Sequence, residues 1–216
     1  MTDKRLQQDI LDELDFEPRV DAAHIGVAVE KGVVTLSGHV GSYAEKLAAE
    51  RAVRRVKGVE ALAGIIEVRF PEDKKTADDE IARRAVNILR WSAVLPEGTV
   101  TVKVEKGFVY LGGQVDWHYQ RASAEAEVRR LSGVKGVVNG ITLKPRVQSG
   151  DIKRRIESAL RRNAELEADQ IKVSVRGLGG VRLDGLVHDW RERETAENAA
   201  WSAPGVTDVE DRLRIV

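Results

Sequence analysis

The sequence contains no cysteine, one methionine and five prolines among its 216 residues. The absence of thiols excludes disulfide scaffolds, thiolate zinc sites and cysteine nucleophiles. An excess of one charge is also missing, since 35 basic residues balance 35 acidic ones. A chain without a net positive field gives no support to sequence-independent nucleic-acid binding, so we expect no nucleic-acid partner.

Long apolar segments are missing as well. The first ten residues, MTDKRLQQDI, are polar and charged, and no 18-residue apolar run follows them. A secretory signal requires an apolar core and a membrane-spanning helix requires about 20 apolar residues. The sequence therefore predicts a cytoplasmic protein, with the 42% hydrophobic and 32% charged content of a globular chain.

The sequence contains a threefold internal repeat. The segment 25–40 aligns without a gap on 100–115, and 171–187 aligns on both with one inserted residue. An independent feature is a pair of glycines spaced 20 residues apart, which occurs once in each repeat. The pairs are Gly38 and Gly58, Gly113 and Gly133, and Gly185 and Gly205. The domain boundaries predicted from this alignment are 1–70, 76–144 and 149–216, here called repeats 1, 2 and 3.

Each repeat has the pattern of an α-β-β-α-β unit. Apolar residues at four-residue spacing, such as Leu6, Ile10 and Leu14, predict a first helix with one buried face. Alternating residues such as Ile25, Val27 and Val29 predict a β-hairpin, followed by a second helix and a last strand. The fold class predicted is α+β, in which each repeat is a three-stranded mixed sheet with two helices packed on one face.

The same pattern predicts helix caps and glycines with a structural role in the backbone. Thr2, Asp78 and Ser149 are predicted N-caps of the first helices. Ser42 with Glu45, and Asp189 with Glu192, are predicted capping boxes of second helices. The six paired glycines are interpreted as structural residues, because glycine permits positive φ and close backbone approach.

The repeat resembles the BON domain, a bacterial module. The resemblance rests on three strand-ending motifs, each followed by Gly-Val 20 residues later; these motifs are Gly38-His-Val40, Gly113-Gln-Val115 and Gly185-Leu-Val187. It covers nearly the whole chain. The resemblance implies a non-enzymatic module that binds phospholipid surfaces and is linked to osmotic or envelope stress, and some members are connected to potassium binding.

No catalytic or metal-binding constellation survives comparison of the repeats. The four histidines have no pair at ligand spacing, and Ser37 is replaced by Gly112 and Asp184 in the other repeats. The acidic runs 78–80 and 208–211 are interpreted as a helix start and a solvated face. We therefore predict no enzyme activity, no cofactor and no metal site.

Repeat 2 carries the candidate surface. It is the only net basic repeat: residues 71–146 contain 13 basic and 10 acidic side chains, a net charge of +3. On its first helix Arg83, Arg84, Arg90 and Trp91 lie away from the predicted core face, as in an interfacial helix. Trp117 and Tyr119 are interpreted either as local packing or as part of an amphipathic rim.

Two functions fit these features. The first is weak association with an anionic phospholipid surface, centred on repeat 2. The alternative is a protein-interaction module, or a module that senses a small ligand or a cation such as K⁺. Oligomeric state is not determined by the sequence.

Overall fold

The structure is a computed structural model that describes residues 2–70, 76–145, 151–163, 168–177 and 179–216. It confirms the predicted α+β class, with three mixed sheets and two helices in each repeat. The predicted cap Ser149 lies outside the described residues.

Repeat 1 is the simplest of the three. Its elements are α1 Asp3–Phe16, β1 Ile25–Glu30, β2 Val33–Val40, α2 Tyr43–Arg55 and β3 Ala61–Val68. A short 3₁₀ turn at Ala22–His24 leads into β1. The central strand β2 pairs antiparallel with β1 and parallel with β3, which gives the mixed sheet.

Repeat 2 has the same order with one interruption. Its elements are α3 Asp78–Trp91, β4 Val100–Glu105, β5 Phe108–Val115, α4 His118–Val128, β6 Gly136–Asn139 and β7 Thr142–Leu143. The last strand, predicted as one segment, is divided at Gly140. The side-chain oxygen of Asn139 accepts a hydrogen bond from the Ile141 N–H (3.2 Å), a local bond that competes with the strand ladder.

Repeat 3 returns to three strands. Its elements are α5 Ile152–Arg162, β8 Ile171–Arg176, β9 Gly180–Val187, α6 Trp190–Trp201 and β10 Asp208–Ile215. A 3₁₀ turn at Ala168–Gln170 precedes β8. The central strand β9 pairs with β8 antiparallel and with β10 parallel.

Each core lies between one sheet face and the two helices. In repeat 1 the stripe Leu6, Ile10 and Leu14 packs with Val34 and Leu36 of the central strand, and all five are buried. Removing such side chains from water is the main favourable contribution to folding, at about 25 cal/mol per Å² of apolar surface. The other face of each sheet is not covered by the helices of its own repeat.

The second helices begin as predicted. The Ser42 hydroxyl accepts from the Glu45 N–H (3.1 Å), and the Asp189 carboxylate accepts from the Glu192 N–H (2.8 Å). Both glutamates also accept from a backbone N–H just before the helix, at Gly41 (2.8 Å) and at His188 (2.6 Å). These bonds satisfy donors that a bare helix end would leave unpaired.

The predicted caps of the first helices had different outcomes. Thr2 is the N-cap residue of α1, as predicted, although its side chain makes no cap bond. The prediction for Asp78 was wrong, because Ala77 is the N-cap of α3. Asp78 instead accepts from the N–H groups of Lys106 (2.7 Å) and Gly107 (2.9 Å) in the hairpin turn. Asp3 makes the same type of contact with Lys31 in repeat 1.

The first glycine of each pair occupies a position with no room for a side chain. Gly38, Gly113 and Gly185 have φ of +108°, +113° and +147°. A Cβ there would lie 2.0 Å from the carbonyl oxygen of His24, Thr99 or Gln170, respectively. The second glycines, at 58, 133 and 205, also have positive φ, between 89° and 94°.

Two compact units divide the chain. The first contains the residues up to Val115 together with Tyr119–Thr142, so it holds repeat 1 and most of repeat 2. The second contains Asp116–His118 and Leu143–Val216. Within the first unit Tyr43 forms a hydrogen bond with the backbone of Val137, and burial raises the pKa of its phenol.

A cluster of ion pairs ties α1 to α2 in repeat 1. The Glu17 side chain, only 6% exposed, contacts Arg19 (2.7 Å) and Arg55 (3.2 Å). Arg55 also contacts Glu13 at 2.7 Å. The hydrogen bond from Arg19, assisted by that from Arg55, outweighs the opposing effect of burial and lowers the pKa of Glu17 from 4.5 to about 2.

This lowered pKa makes repeat 1 sensitive to acid. The ionised Glu17 stabilises the folded state fully above its unfolded-state pKa of 4.5, and the stabilisation is lost as the pH falls toward about 2. We expect Glu17→Gln to lower the urea midpoint at neutral pH and to flatten its decline below pH 4.5. The measurement is urea unfolding over a pH series. Glu67→Gln, at a 64% exposed surface ion pair, is the control and should leave the curve nearly unchanged.

The glycine geometry gives a second prediction within repeat 2. Gly98 has φ of +73°, and a Cβ at this position would have no other atom within 4 Å, so Gly98→Ala adds backbone strain alone, roughly 1–2 kcal/mol. Gly113→Ala adds the clash with the Thr99 carbonyl and should lower the free energy of unfolding by clearly more. Chemical denaturation of both variants compares them. Equal losses would show that the close approach contributes nothing.

Candidate functional site

The first helix of repeat 2 presents an apolar end to solvent. Ile81, Ala85 and Leu89 of α3 are buried, as the four-residue spacing predicted. Trp91, the last residue of the helix, is 87% exposed, and Val86 is 42% exposed. An indole this exposed contributes nothing to the core and is available to another surface.

The predicted cations on this helix are not equivalent. Arg83 contacts Asp79 at 3.0 Å, and Arg84 contacts Glu80 at 2.8 Å, each one helical turn away. These acidic residues of the first turn neutralise both arginines locally. Arg90 is exposed, and no carboxylate among the described residues pairs with it. The unpaired positive charge of α3 therefore lies next to Trp91.

A shallow groove continues this surface toward the edge of the sheet. A cavity of about 180 Å³ separates α3 from the edge strand β4. Its apolar lining consists of Val86, Leu89, Leu95, Pro96, Val100 and Val102, with Arg90 and Glu97 as charged members. Val94 is 40% exposed in the loop that follows α3. The groove therefore adjoins Val86 and Arg90, whereas Trp91 is not among its lining residues.

Repeat 1 has an aromatic residue at the same position. Phe16 is the last residue of α1, is 81% exposed and lies 75 residues before Trp91. The corresponding residue of repeat 3 is Arg162. Sequence reasoning missed Phe16, although the 75-residue offset between the repeats was enough to find it. Repeats 1 and 2 thus share an exposed aromatic helix end.

The aromatic residues near the starts of the second helices differ in exposure. Tyr119 is 56% exposed on α4, whereas Trp117 is half-buried. The matching Tyr43 is half-buried against Val137, and Trp190 is half-buried with the Arg193 guanidinium 5.1 Å from its ring. Of these four side chains, only that of Tyr119 is largely available to a partner.

Histidine and carboxylate side chains that could serve in a catalytic or metal site make structural contacts instead. In the part of the chain that the structure describes, no group of three His, Asp or Glu residues converges as a metal site would. His24 and His39 stack with their ring centroids 4.7 Å apart, because the strand register pairs their neighbours Ile25 and Gly38. Glu210 contacts Arg176 and Arg182. The hydrogen bond from Arg182 lowers the pKa of Glu210 most strongly, and the hydrogen bond from Arg212 lowers it further.

No described helix combines the length and the apolar character that crossing a bilayer requires.

Comparison with known proteins places these features in a family. The chain is 32% identical over 132 residues to the osmotically-inducible protein Y of Escherichia coli (strain K12), a match that spans 58% of this chain and 64% of the relative. Solved structures of CdsD, a structural protein of the type III secretion system of Chlamydia trachomatis, align at 15% identity. One alignment covers 98% of this chain and 92% of the matched chain in that structure, with a TM-score of 0.28, too low to establish a shared arrangement.

The family comparison covers the chain three times. The model of the BON domain matches residues 2–69, 77–145 and 148–216. The three matches together leave only short stretches of the chain unassigned. The protein therefore belongs to the BON domain family and consists of three tandem BON domains.

Proposed function

We propose that this protein is a non-catalytic, peripheral phospholipid-binding protein that acts in osmotic stress, and that the end of α3 in repeat 2 contacts the lipid. The observation that carries the proposal is the 87% exposed Trp91 at the end of α3, the helix that also exposes Val86. Tryptophan is suited to the bilayer interface because its ring is apolar and its N–H remains hydrogen-bonded to water or headgroups. The osmotic context comes from the name of the Escherichia coli relative.

Apolar contact supplies the first part of the binding free energy. Burying a large apolar side chain contributes roughly 1.5–3 kcal/mol. One such residue gives only weak, reversible attachment. Phe16 offers a second exposed aromatic helix end in the same compact unit, and two attachment points raise the apparent affinity if both engage one surface.

Charge supplies the second part. An anionic membrane attracts each nearby Lys or Arg by about 1 kcal/mol, and salt screens this attraction. Repeat 2 has 10 basic and 8 acidic residues, a net charge of +2. Since Arg83 and Arg84 face carboxylates on their own helix, Arg90 is the arginine of α3 that supports the proposal most directly.

Vesicle co-sedimentation tests the proposal. The wild-type chain should bind vesicles containing phosphatidylglycerol at low salt, and binding should weaken at high salt. Trp91→Ala should lower the partition coefficient by about tenfold, the equivalent of ~1.4 kcal/mol. Because Trp91 is so exposed, the free energy of unfolding of the Trp91→Ala variant should differ from that of the wild type by less than about 0.5 kcal/mol.

Matched variants separate the end of α3 from the rest of repeat 2. Tyr119→Ala removes another exposed aromatic residue, on α4, and should weaken binding less than Trp91→Ala. Arg90→Gln should weaken binding more than Arg83→Gln, although both remove one positive charge. Absence of binding to anionic vesicles at low salt, or equal binding by wild type and Trp91→Ala, would refute the proposal.

A further inference from the structure

A second cavity lies at the hairpin turn of repeat 2, and Trp91 is not among its lining residues. Its volume is about 480 Å³, within the range of small-molecule sites. Val68, Arg69 and Phe70, at the end of repeat 1, form one wall. Lys106 and Lys135 of repeat 2 belong to another wall, and all of these residues lie in the first compact unit.

Positive charge dominates this cavity. Arg69, Lys106 and Lys135 are all exposed, and no carboxylate among the described residues pairs with either lysine. Among the lining residues that the structure describes, the carboxylate is that of Asp78, whose oxygens accept from the Lys106 and Gly107 N–H groups. Arg69 contacts Glu67 at 2.9 Å, but both side chains are more than 60% exposed, and such a surface pair exchanges partners at little cost.

Comparison of the repeats shows that the fold does not require a cation here. In all three repeats the residue two positions after the second glycine donates its backbone N–H to a carbonyl oxygen in the hairpin turn, over 2.8–3.0 Å. The donors are Glu60, Lys135 and Thr207, and the acceptors are Gly32, Gly107 and Gly179, respectively. The Lys135 stem lies against Gly107, and the Glu60 stem lies against Gly32 in the same way. The backbone is therefore shared while the charge of the side chain is reversed between repeats 1 and 2.

We propose that this cavity binds an organic phosphate, with Lys106, Lys135 and Arg69 holding the phosphate group and Val68 and Phe70 contacting an apolar part of the ligand. Arginine and lysine are the side chains that bind phosphate through charge-assisted hydrogen bonds. Three cations against one already engaged carboxylate suit a ligand with a full negative charge. The apolar wall favours an organic phosphate over the inorganic ion.

Two probes distinguish the source of the phosphate. Phenyl phosphate, whose ring supplies the apolar part, represents a free organic phosphate, and dihexanoyl phosphatidylglycerol below its micelle concentration represents a lipid headgroup. Titrating each into the ¹⁵N-labelled full-length chain at constant ionic strength should give saturable amide shifts at Gly107 and Gly133. Tighter binding of the first probe assigns a free phosphate, and tighter binding of the second assigns a headgroup.

The Lys135→Glu variant introduces the glutamate that repeat 1 carries at the equivalent position, Glu60. This variant should weaken phosphate binding at least about tenfold. Lys57→Glu changes an exposed lysine of repeat 1 by the same charge and should leave the affinity within about twofold. If Lys135→Glu lowers the melting temperature, Lys135→Gln replaces it and should still weaken binding.

Three results would overturn the proposal: no saturable shift with either probe, equal weakening by Lys135→Glu and Lys57→Glu, or shifts confined to the end of α3. The last result would assign phosphate binding to the surface of the proposed function. Loss of vesicle binding in Trp91→Ala with intact phosphate titration would leave the present site standing, so the two proposals fail separately.

Discussion

The close approach of the central strand to the residue before the first strand is the constraint on which each repeat depends. A Cβ at Gly38, Gly113 or Gly185 would lie 2.0 Å from a backbone carbonyl oxygen, far inside van der Waals contact. The two strands of each hairpin approach this closely only because the position lacks a side chain. The hairpin in turn places the central strand between its antiparallel and parallel neighbours, and the core forms over its buried face.

On this common frame the three repeats differ in what they expose. The hairpin-facing position is Glu60 in repeat 1, Lys135 in repeat 2 and Thr207 in repeat 3, with the same backbone hydrogen bond in each. The end of the first helix is Phe16, Trp91 or Arg162. Such variation at solvent-facing positions changes stability little, because the core and the ladder bonds are elsewhere. Repeat 2 combines the exposed indole with the cationic cavity, which is why both proposals fall on it.

Much of the architecture was predictable because it rests on local and periodic signals. The stripe Ile81, Ala85 and Leu89 and the capping boxes at Ser42 and Asp189 are found where the sequence placed them. Where prediction failed, a competing contact decided. Asp78 was predicted to cap its own helix, but its carboxylate accepts from the hairpin turn, 28 residues away in sequence. The last strand of repeat 2 was predicted as one segment, but it breaks after Asn139, whose side chain accepts from the Ile141 N–H.

The sequence by itself determined the threefold repeat, the order of elements and the buried faces, because hydrophobic periodicity and glycine spacing are properties of neighbouring residues. It also predicted Arg83, Arg84, Arg90 and Trp91 as surface residues of α3, and all four side chains are exposed. The i,i+4 spacing of Asp79 with Arg83 and of Glu80 with Arg84 already carried the signal that both arginines are neutralised on their own helix. Only the tertiary structure showed that Arg69 and Lys135 line one cavity. That outcome depends on which side chains meet across elements and on their distances, and spacing along the chain carries no such information.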